Sequence, residues 1–442
     1  MIYRCENGES TDRLAEVIRR GSAPDGGLYY ISDIPDVSDL LYGDSVVLQS
    51  GHGGYNDFVV KILERMLPDE APGISWGELI DSAYDFAPSL HALESEYVLE
   101  LFHGPSCAFK DFGARFLARY LEADCRRRDE KLVILTATSG DTGSAVGQAF
   151  AGSDAIDVVI LFPRGRISHL QEKQLTTIGG NVHAIEVDGS FDDCQRMVKR
   201  IFADRSLSSG ISLSSANSIN LGRLIPQMLY YLYAAARLSA DGCGAPVFCV
   251  PSGNFGNLTA GVMGYMAGMR MSGFIAATNR NDVVPEYLQS GHFQPRPSVE
   301  TISNAMDVGS PSNFPRLTRL YSDDYARVRS HIAGYAVSDE HTRETMRTYA
   351  ERHGYLACPH TAVGLAASAH HRNANLAPSE ATFVTLGTAH PAKFPDIVEQ
   401  ATQETPEAPE RLSRVLRLPS QADTMDADVG ALATWLRERF GR

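Results

Sequence analysis

The sequence predicts an α/β fold with two doubly wound sheet domains around a cleft and an extra N-terminal lobe. From about Leu99, short apolar runs alternate with helical patterns, the rhythm of parallel strands covered by helices. Two of the apolar runs end in glycine-rich turns that lead into helices, the usual place for a ligand in such sheets. Residues 1–95 lack this alternation and mix short helical patterns with loops such as GSAPDGGLYY and QSGHGGYNDF, which sets them apart as the lobe.

Within 96–212, expected to be the smaller α/β domain, KLVILTATSG reads as a buried strand and DTGSAVGQAFAG as a helix opening. IDVVILFP is the next strand, SHLQEKQLTTIGG a helix closed by glycine, VHAIEV a strand and FDDCQRMVKRIFAD a helix. Within 213–399, expected to be the larger domain, the polar segment SLSSANSIN leads to the helix RLIPQMLYYLYAAARL. The strand PVFCVPSG, the helix LTAGVMGYMAGM and the strand GFIAAT follow, and later the helix HTAVGLAASAHH and the strand ATFVTLGT. Residues 400–442, with TPEAPERLSR and GALATWLRERF, read as a linker and peripheral helices.

A chain of 442 residues with 43% hydrophobic and 21% charged residues has the composition of a globular protein with a large core. Its formal net charge of −14 disfavours binding to a nucleic-acid backbone, which needs a basic face to release counterions. A small anionic substrate fits if a few cations are placed locally. Seven cysteines stand singly with no CxxC pair, the first twenty residues lack the apolar run of a secretory signal, and no apolar run is long enough to span a membrane. A reducing cytoplasm is therefore the expected setting, with no membrane partner and a monomer or a homodimer equally compatible.

The turns TATSGDTGSA (136–145) and VPSGNFGNLTAG (250–261) allow backbone N–H groups to converge beside the positive end of a helix. Each is compatible with a plain strand-to-helix connection. Two together, with hydroxyl and amide side chains inside the glycine frame, suggest two anionic groups, as in a phosphate-bearing cofactor and a carboxylate-bearing substrate. Neither is GxxxxGK[ST] or GxGxxG, so nucleotide and nicotinamide folds are disfavoured.

FHGPSCAFKDFGARF sets Lys110 at or just before a helix whose Phe112, Phe116, Leu117, Tyr120 and Leu121 share one face. Apolar neighbours and the helix N-terminus both disfavour an ammonium there, freeing the amine as a nucleophile suited to a Schiff base. The bland alternative is a lysine that snorkels to water over an apolar stem. Cys107 reads as a packing residue, His103 as a structural hydrogen-bonding residue near the site, and His370 with His371 as a solvated helix end. No GxSxG, HExxH or CxxC pattern supports hydrolase or metal chemistry.

LFHGPSCAFKDFGARF, LTATSGDTGSAV, SSANSINLGR, VPSGNFGNLTAG, SNAMDVGSPSNFPR and LGTAHPAKF, in this order, resemble the threonine synthase family. These are pyridoxal-phosphate enzymes of the tryptophan-synthase-β fold type, and the resemblance runs from APDGGLYY to Phe394. It implies that Lys110 holds pyridoxal 5'-phosphate as a Schiff base. Gly253, Asn254, Phe255, Gly256 and Asn257 would cradle the cofactor phosphate, and Thr388 would face the pyridine nitrogen.

It further implies that the turn with Ser139, Gly140, Asp141 and Thr142 binds a substrate carboxylate, and that Arg223, with Ser215 and Asn217, meets a substrate phosphate. The implied reaction converts the phosphorylated amino acid O-phosphohomoserine and water to threonine and phosphate. The alternative on the same scaffold is a phospholyase releasing 2-oxobutyrate and ammonia, and a non-catalytic binding protein is a third reading. Many family members carry threonine at Ser106 and asparagine at Ser214, so the resemblance raises the question whether Ser214 changes phosphate binding.

Overall fold

The computed structural model describes residues 1–5, 10–11, 13–23, 27–43, 51–138, 140–204 and 206–441. Two sheets organise the chain. The five-stranded sheet runs in the order Asp423–Asp426, Val182–Asp188, Ile156–Pro163, Leu132–Ala137, Leu213–Ser214, all parallel. The six-stranded sheet runs Ile332–Ala336, Gly273–Thr278, Pro246–Pro251, Thr382–Gly387, Tyr97–Glu100, Ser89–Ala92, and only the last pairs antiparallel.

The central strands are the apolar runs expected from the sequence. Leu132–Ala137 and Pro246–Pro251 are buried at every position, because helices cover both faces of each sheet. Three further strands carry too little pattern to stand out. Tyr97–Glu100, grouped by the sequence with residues 96–212, pairs with Thr382–Gly387 of the other sheet. Ile332–Ala336 and Asp423–Asp426 are edge strands with mixed burial, and the latter adds a strand to a tail read as linker and helices.

The N-terminal segment forms a three-stranded antiparallel sheet, Ile2–Arg4 with Ser10–Thr11 and Tyr30–Asp33. Of its helices, Trp76–Ala83 packs on the helix that begins at Lys110, and Gly51–Met66 packs on Trp76–Ala83 and reaches that helix through Tyr55. Phe112 meets Phe86, Tyr84, Tyr55 and Tyr230 with ring centroids 4.9, 5.6, 5.8 and 5.4 Å away, and Phe116 stacks on Trp76 at 6.2 Å. Such ring pairs add to the gain from burial. Tyr84 Oη donates to the Phe112 carbonyl at 2.8 Å, tying lobe to helix near Lys110. Among the described residues no helix is long and apolar enough to cross a membrane.

Candidate active site

Three strand ends converge on one cavity of about 1890 Å³: Ala137 and Thr138, Pro251 to Gly253, and Thr388. Lys110 lines it from the first position of the helix Lys110–Arg128, where the lack of a following β-branched run and the spacing of Phe112, Phe116 and Tyr120 favour helix. The aromatic face packs into the N-terminal lobe, so Lys110, on another side of the helix, is left to the cavity. The aromatic residues expected to shield its amine therefore act mainly on the helix; among them only the Phe109 ring lies close, 5.9 Å from Nζ.

Burial nonetheless lowers the Lys110 amine to about 8 from its ordinary 10.5, although part of the side chain faces the cavity. Asp141 opposes the shift, while the cations of Lys393 and Arg223 reinforce it. The segment before the helix is pinned to the Thr388 strand end: Phe109 N–H donates to the Thr388 carbonyl at 2.8 Å, and His390 N–H donates to the Cys107 carbonyl at 3.0 Å. Cys107 sits at φ 56°, and burial pushes its thiol up to about 11, which suits packing and not nucleophilic attack.

The turn before the helix Gly256–Met266 places Gly253, Asn254, Phe255, Gly256 and Asn257 on the cavity wall, with Phe255 in the left-handed region at φ 61°. No acceptor among the described residues bonds the N–H groups of Gly253, Asn254 and Phe255. Asn254 braces the turn: its Oδ1 accepts from Ser312 N–H at 2.7 Å and its Nδ2 donates to Ser218 Oγ at 2.9 Å. Asn257 Oδ1 accepts from Tyr230 Oη at 2.5 Å and Tyr231 Oη at 2.8 Å. That fixes the amide and leaves the buried Nδ2 without a partner among the described residues, a donor prepared for something outside the chain.

Ser139 lies outside the described residues. Gly140, at φ 134°, does not line the cavity, and its N–H, like that of Gly143, donates to Thr138 Oγ1 at 3.0 and 2.9 Å. Asp141 and Thr142 do line it. Asp141 opens the helix Asp141–Phe150 and is buried, accepting from Gln171 Nε2 at 3.2 Å and pairing with Lys393 Nζ at 2.8 Å. Burial alone would push its carboxyl up, but Lys393 and then Lys110 outweigh this and hold it well below the usual carboxylate range.

Ser215, Asn217 and Arg223 also reach the cavity. The buried Arg223 guanidinium donates to the carbonyls of Ala216 at 2.8 Å and Lys110 at 3.4 Å, and its Nε has no partner among the described residues. Burial lowers it only to about 10, so it stays cationic. Asn217 Oδ1 accepts from Thr136 Oγ1. Ser214 does not join them: fully buried in its strand, it turns its hydroxyl to the Ile18 carbonyl at 3.5 Å. Ser106 is also off the cavity wall, its N–H donating to Asp111 Oδ2 at 2.9 Å.

Three groups at the site escaped the sequence reading. Lys393, inside LGTAHPAKF, is fully buried. His360 takes the Ala305 N–H on Nε2 at 3.2 Å, and burial lowers it to about 4, so it is neutral. Asp307, inside SNAMDVGSPSNFPR, accepts from Thr301, Asn279 and Asn281, and burial raises it to about 6. The motifs that contain Lys393 and Asp307 were the available signal; His360 had none.

A buried amine at a helix start, an unfilled amide donor and a turn of unbonded N–H groups, set between two α/β sheets, fit a small aldehyde cofactor bearing a phosphate. The arrangement defines a pyridoxal-phosphate-dependent enzyme, and residues 89–388 match the family described as "Pyridoxal-phosphate dependent enzyme". Residues 361–435 match "Threonine synthase, C-terminal". Threonine synthases from Serratia marcescens and Escherichia coli (strain K12) are 40% and 41% identical over 440 and 436 residues, covering 98% of this chain and 98% of each relative. A crystal structure of pyridoxal-phosphate-bound threonine synthase from Brucella melitensis superposes with a TM-score of 0.89 at 33% identity, covering 100% of both chains. The chain belongs to the threonine synthase family.

Proposed function

We propose that this chain converts O-phosphohomoserine and water to L-threonine and phosphate, with Lys110 as the Schiff-base tether of pyridoxal 5'-phosphate. The observation that carries the assignment is the Lys110 amine, lowered to about 8 and facing a cavity that also holds Asn257, Arg223 and Thr388. At pH 7 about one-tenth of such an amine is neutral, against roughly one in three thousand at the ordinary 10.5.

The residues divide the work. The N–H groups of the Gly253 to Asn257 turn, at the start of a helix, would hold the cofactor phosphate, and the Thr388 hydroxyl would face the ring nitrogen. When bound, pyridoxal phosphate supplies an electron sink for the charge left when a proton leaves the substrate α-carbon. Lys110, as a free amine, takes a proton from the substrate Cα and then one from Cβ. Phosphate then leaves Cγ, Cγ gains a proton, water adds at Cβ, and a proton returned to Cα completes threonine. Thr142 and Asp141, which line the cavity, meet the substrate carboxylate, with the Asp141 charge offset by Lys393. Arg223, Ser215 and Asn217 meet its phosphate, where the planar guanidinium suits an oxyanion.

The test is product analysis with O-phosphohomoserine, run beside Lys110→Ala. Equal amounts of threonine and phosphate, lost together with the cofactor absorbance band in the variant, are expected. 2-Oxobutyrate and ammonia as the main products overturn the synthase assignment. A band that persists in Lys110→Ala overturns the tether.

A further inference from the structure

Lys393 ends the short turn Pro391–Lys393 and exposes none of its surface. Its Nζ lies 2.8 Å from Asp141 Oδ1 and donates to the Ser106 carbonyl at 2.9 Å. A buried ion pair adds little net stability compared with a well-packed apolar pair, because desolvation of both ions offsets their attraction. Stability alone therefore does not account for a lysine at this place.

The charged and titratable groups coupled to Lys110 come from four elements. Asp141 opens the helix Asp141–Phe150, Arg223 lies on Leu221–Ala240, His360 on Pro359–Asn373, and Lys393 on its turn. Asp111, next in the chain, is engaged elsewhere by the Ser106 N–H, and its burial raises it to about 6. Asp141 is thus the carboxylate that can claim the Lys110 amine. If it did, the pair would hold Lys110 as an ammonium, the one form that cannot attack an aldehyde or take a proton.

We infer that Lys393 is a positioning residue: its buried cation occupies the Asp141 carboxylate and so keeps the Lys110 amine free of it. The same cation offsets the negative charge that Asp141 brings to a turn meant for a substrate carboxylate. Its bond to the Ser106 carbonyl couples the LGTAHPAKF and FHGPSCAFK segments, so this charge is held at a fixed place relative to Lys110. The electrostatic ordering agrees. Apart from burial, Asp141 pulls the Lys110 amine up, and Lys393 is the first of the cations pushing it down.

The inference rests on Lys110 being the tether, and its test keeps the two separate. Protein stripped of cofactor is mixed with pyridoxal phosphate, and the growth of the absorbance band is followed against pH. Only the neutral amine condenses with the aldehyde, forming the C=N bond and releasing water, so the midpoint of the rate reports Lys110. Lys393→Met is expected to move that midpoint up by about one pH unit or more, slowing capture at pH 7 about tenfold. Lys393→Arg, which keeps a cation, restores most of it, and Lys393→Met with Asp141→Asn returns the midpoint close to that of the unaltered chain.

An unmoved midpoint in folded Lys393→Met overturns the inference while leaving the tether intact. A band that still forms in Lys110→Ala overturns the tether itself. If Lys393→Met does not fold, Asp141→Asn decides: removing the competing carboxylate must leave the midpoint unchanged or lower, and a rise overturns the inference.

Discussion

The N–H of Phe109 donates to the carbonyl of Thr388 at 2.8 Å, and Ala108 bridges Ala389 beside it. This contact joins the segment that carries Lys110 to the end of the strand Thr382–Gly387. The backbone that carries Lys110 is thereby held beside that of Thr388 by hydrogen bonds, which resist displacement more than side-chain contacts do.

Thr388→Val keeps the shape and the backbone bond but removes the hydroxyl. We expect the cofactor band to persist while kcat/KM falls about tenfold, the worth of one hydrogen bond of roughly 1.5 kcal/mol. Unchanged kinetics with O-phosphohomoserine would show that the hydroxyl has no part in the reaction.

Phe112 sits between the lobe aromatics Tyr55, Tyr84 and Phe86 and Tyr230 of the long helix Leu221–Ala240. Phe112→Ala opens a cavity at that junction and is expected to cost about 3–5 kcal/mol in urea unfolding. A loss below about 1 kcal/mol would mean that the lobe does not hold the Lys110 helix.

His360 stays neutral in the fold down to about pH 4, whereas unfolded it takes a proton near 6.5. Between those values the unfolded state binds more protons, so the contribution of His360 to stability shrinks as pH falls. The stability difference between the chain and His360→Asn is expected to narrow by up to about 3 kcal/mol from pH 6.5 to 4. Comparing the two proteins removes the opposite slopes of Asp111 and Asp307, whose raised carboxyls favour the fold as pH falls. A constant difference across that range contradicts a buried, neutral His360.

Ser214→Asn introduces the residue that the family resemblance leads one to expect at this position. Because the Ser214 hydroxyl points to the Ile18 carbonyl and away from the cavity, the KM for O-phosphohomoserine is expected to stay within about twofold. Extra volume in a fully buried site costs about 1–3 kcal/mol of stability instead. A large change in KM at unchanged stability would place residue 214 on the substrate.

The strands most legible in the sequence were those buried on both faces, such as IDVVILFP, which is the strand Ile156–Pro163. Tyr97–Glu100 and Asp423–Asp426 were not legible, since a four-residue strand has no room for a period and its sheet is chosen by distant partners. The Lys110 helix start was readable from the spacing of Phe112, Phe116 and Tyr120. The destination of that aromatic face, the N-terminal lobe, was not.

Local pattern determined that a lysine stands at the head of an amphipathic helix, that two glycine-rich turns follow buried strands, and that their order matches the threonine synthase family. Those features depend on neighbours within a few residues, where spacing and side-chain type settle geometry. Tertiary structure alone decided that Lys393 and not Lys110 pairs with Asp141, that Ser214 faces Ile18, and that Asn257 keeps one donor without a partner among the described residues. Charge pairing and desolvation act through space at a few ångströms, and residues far apart in the chain are brought to those distances only by the packing of the two sheets.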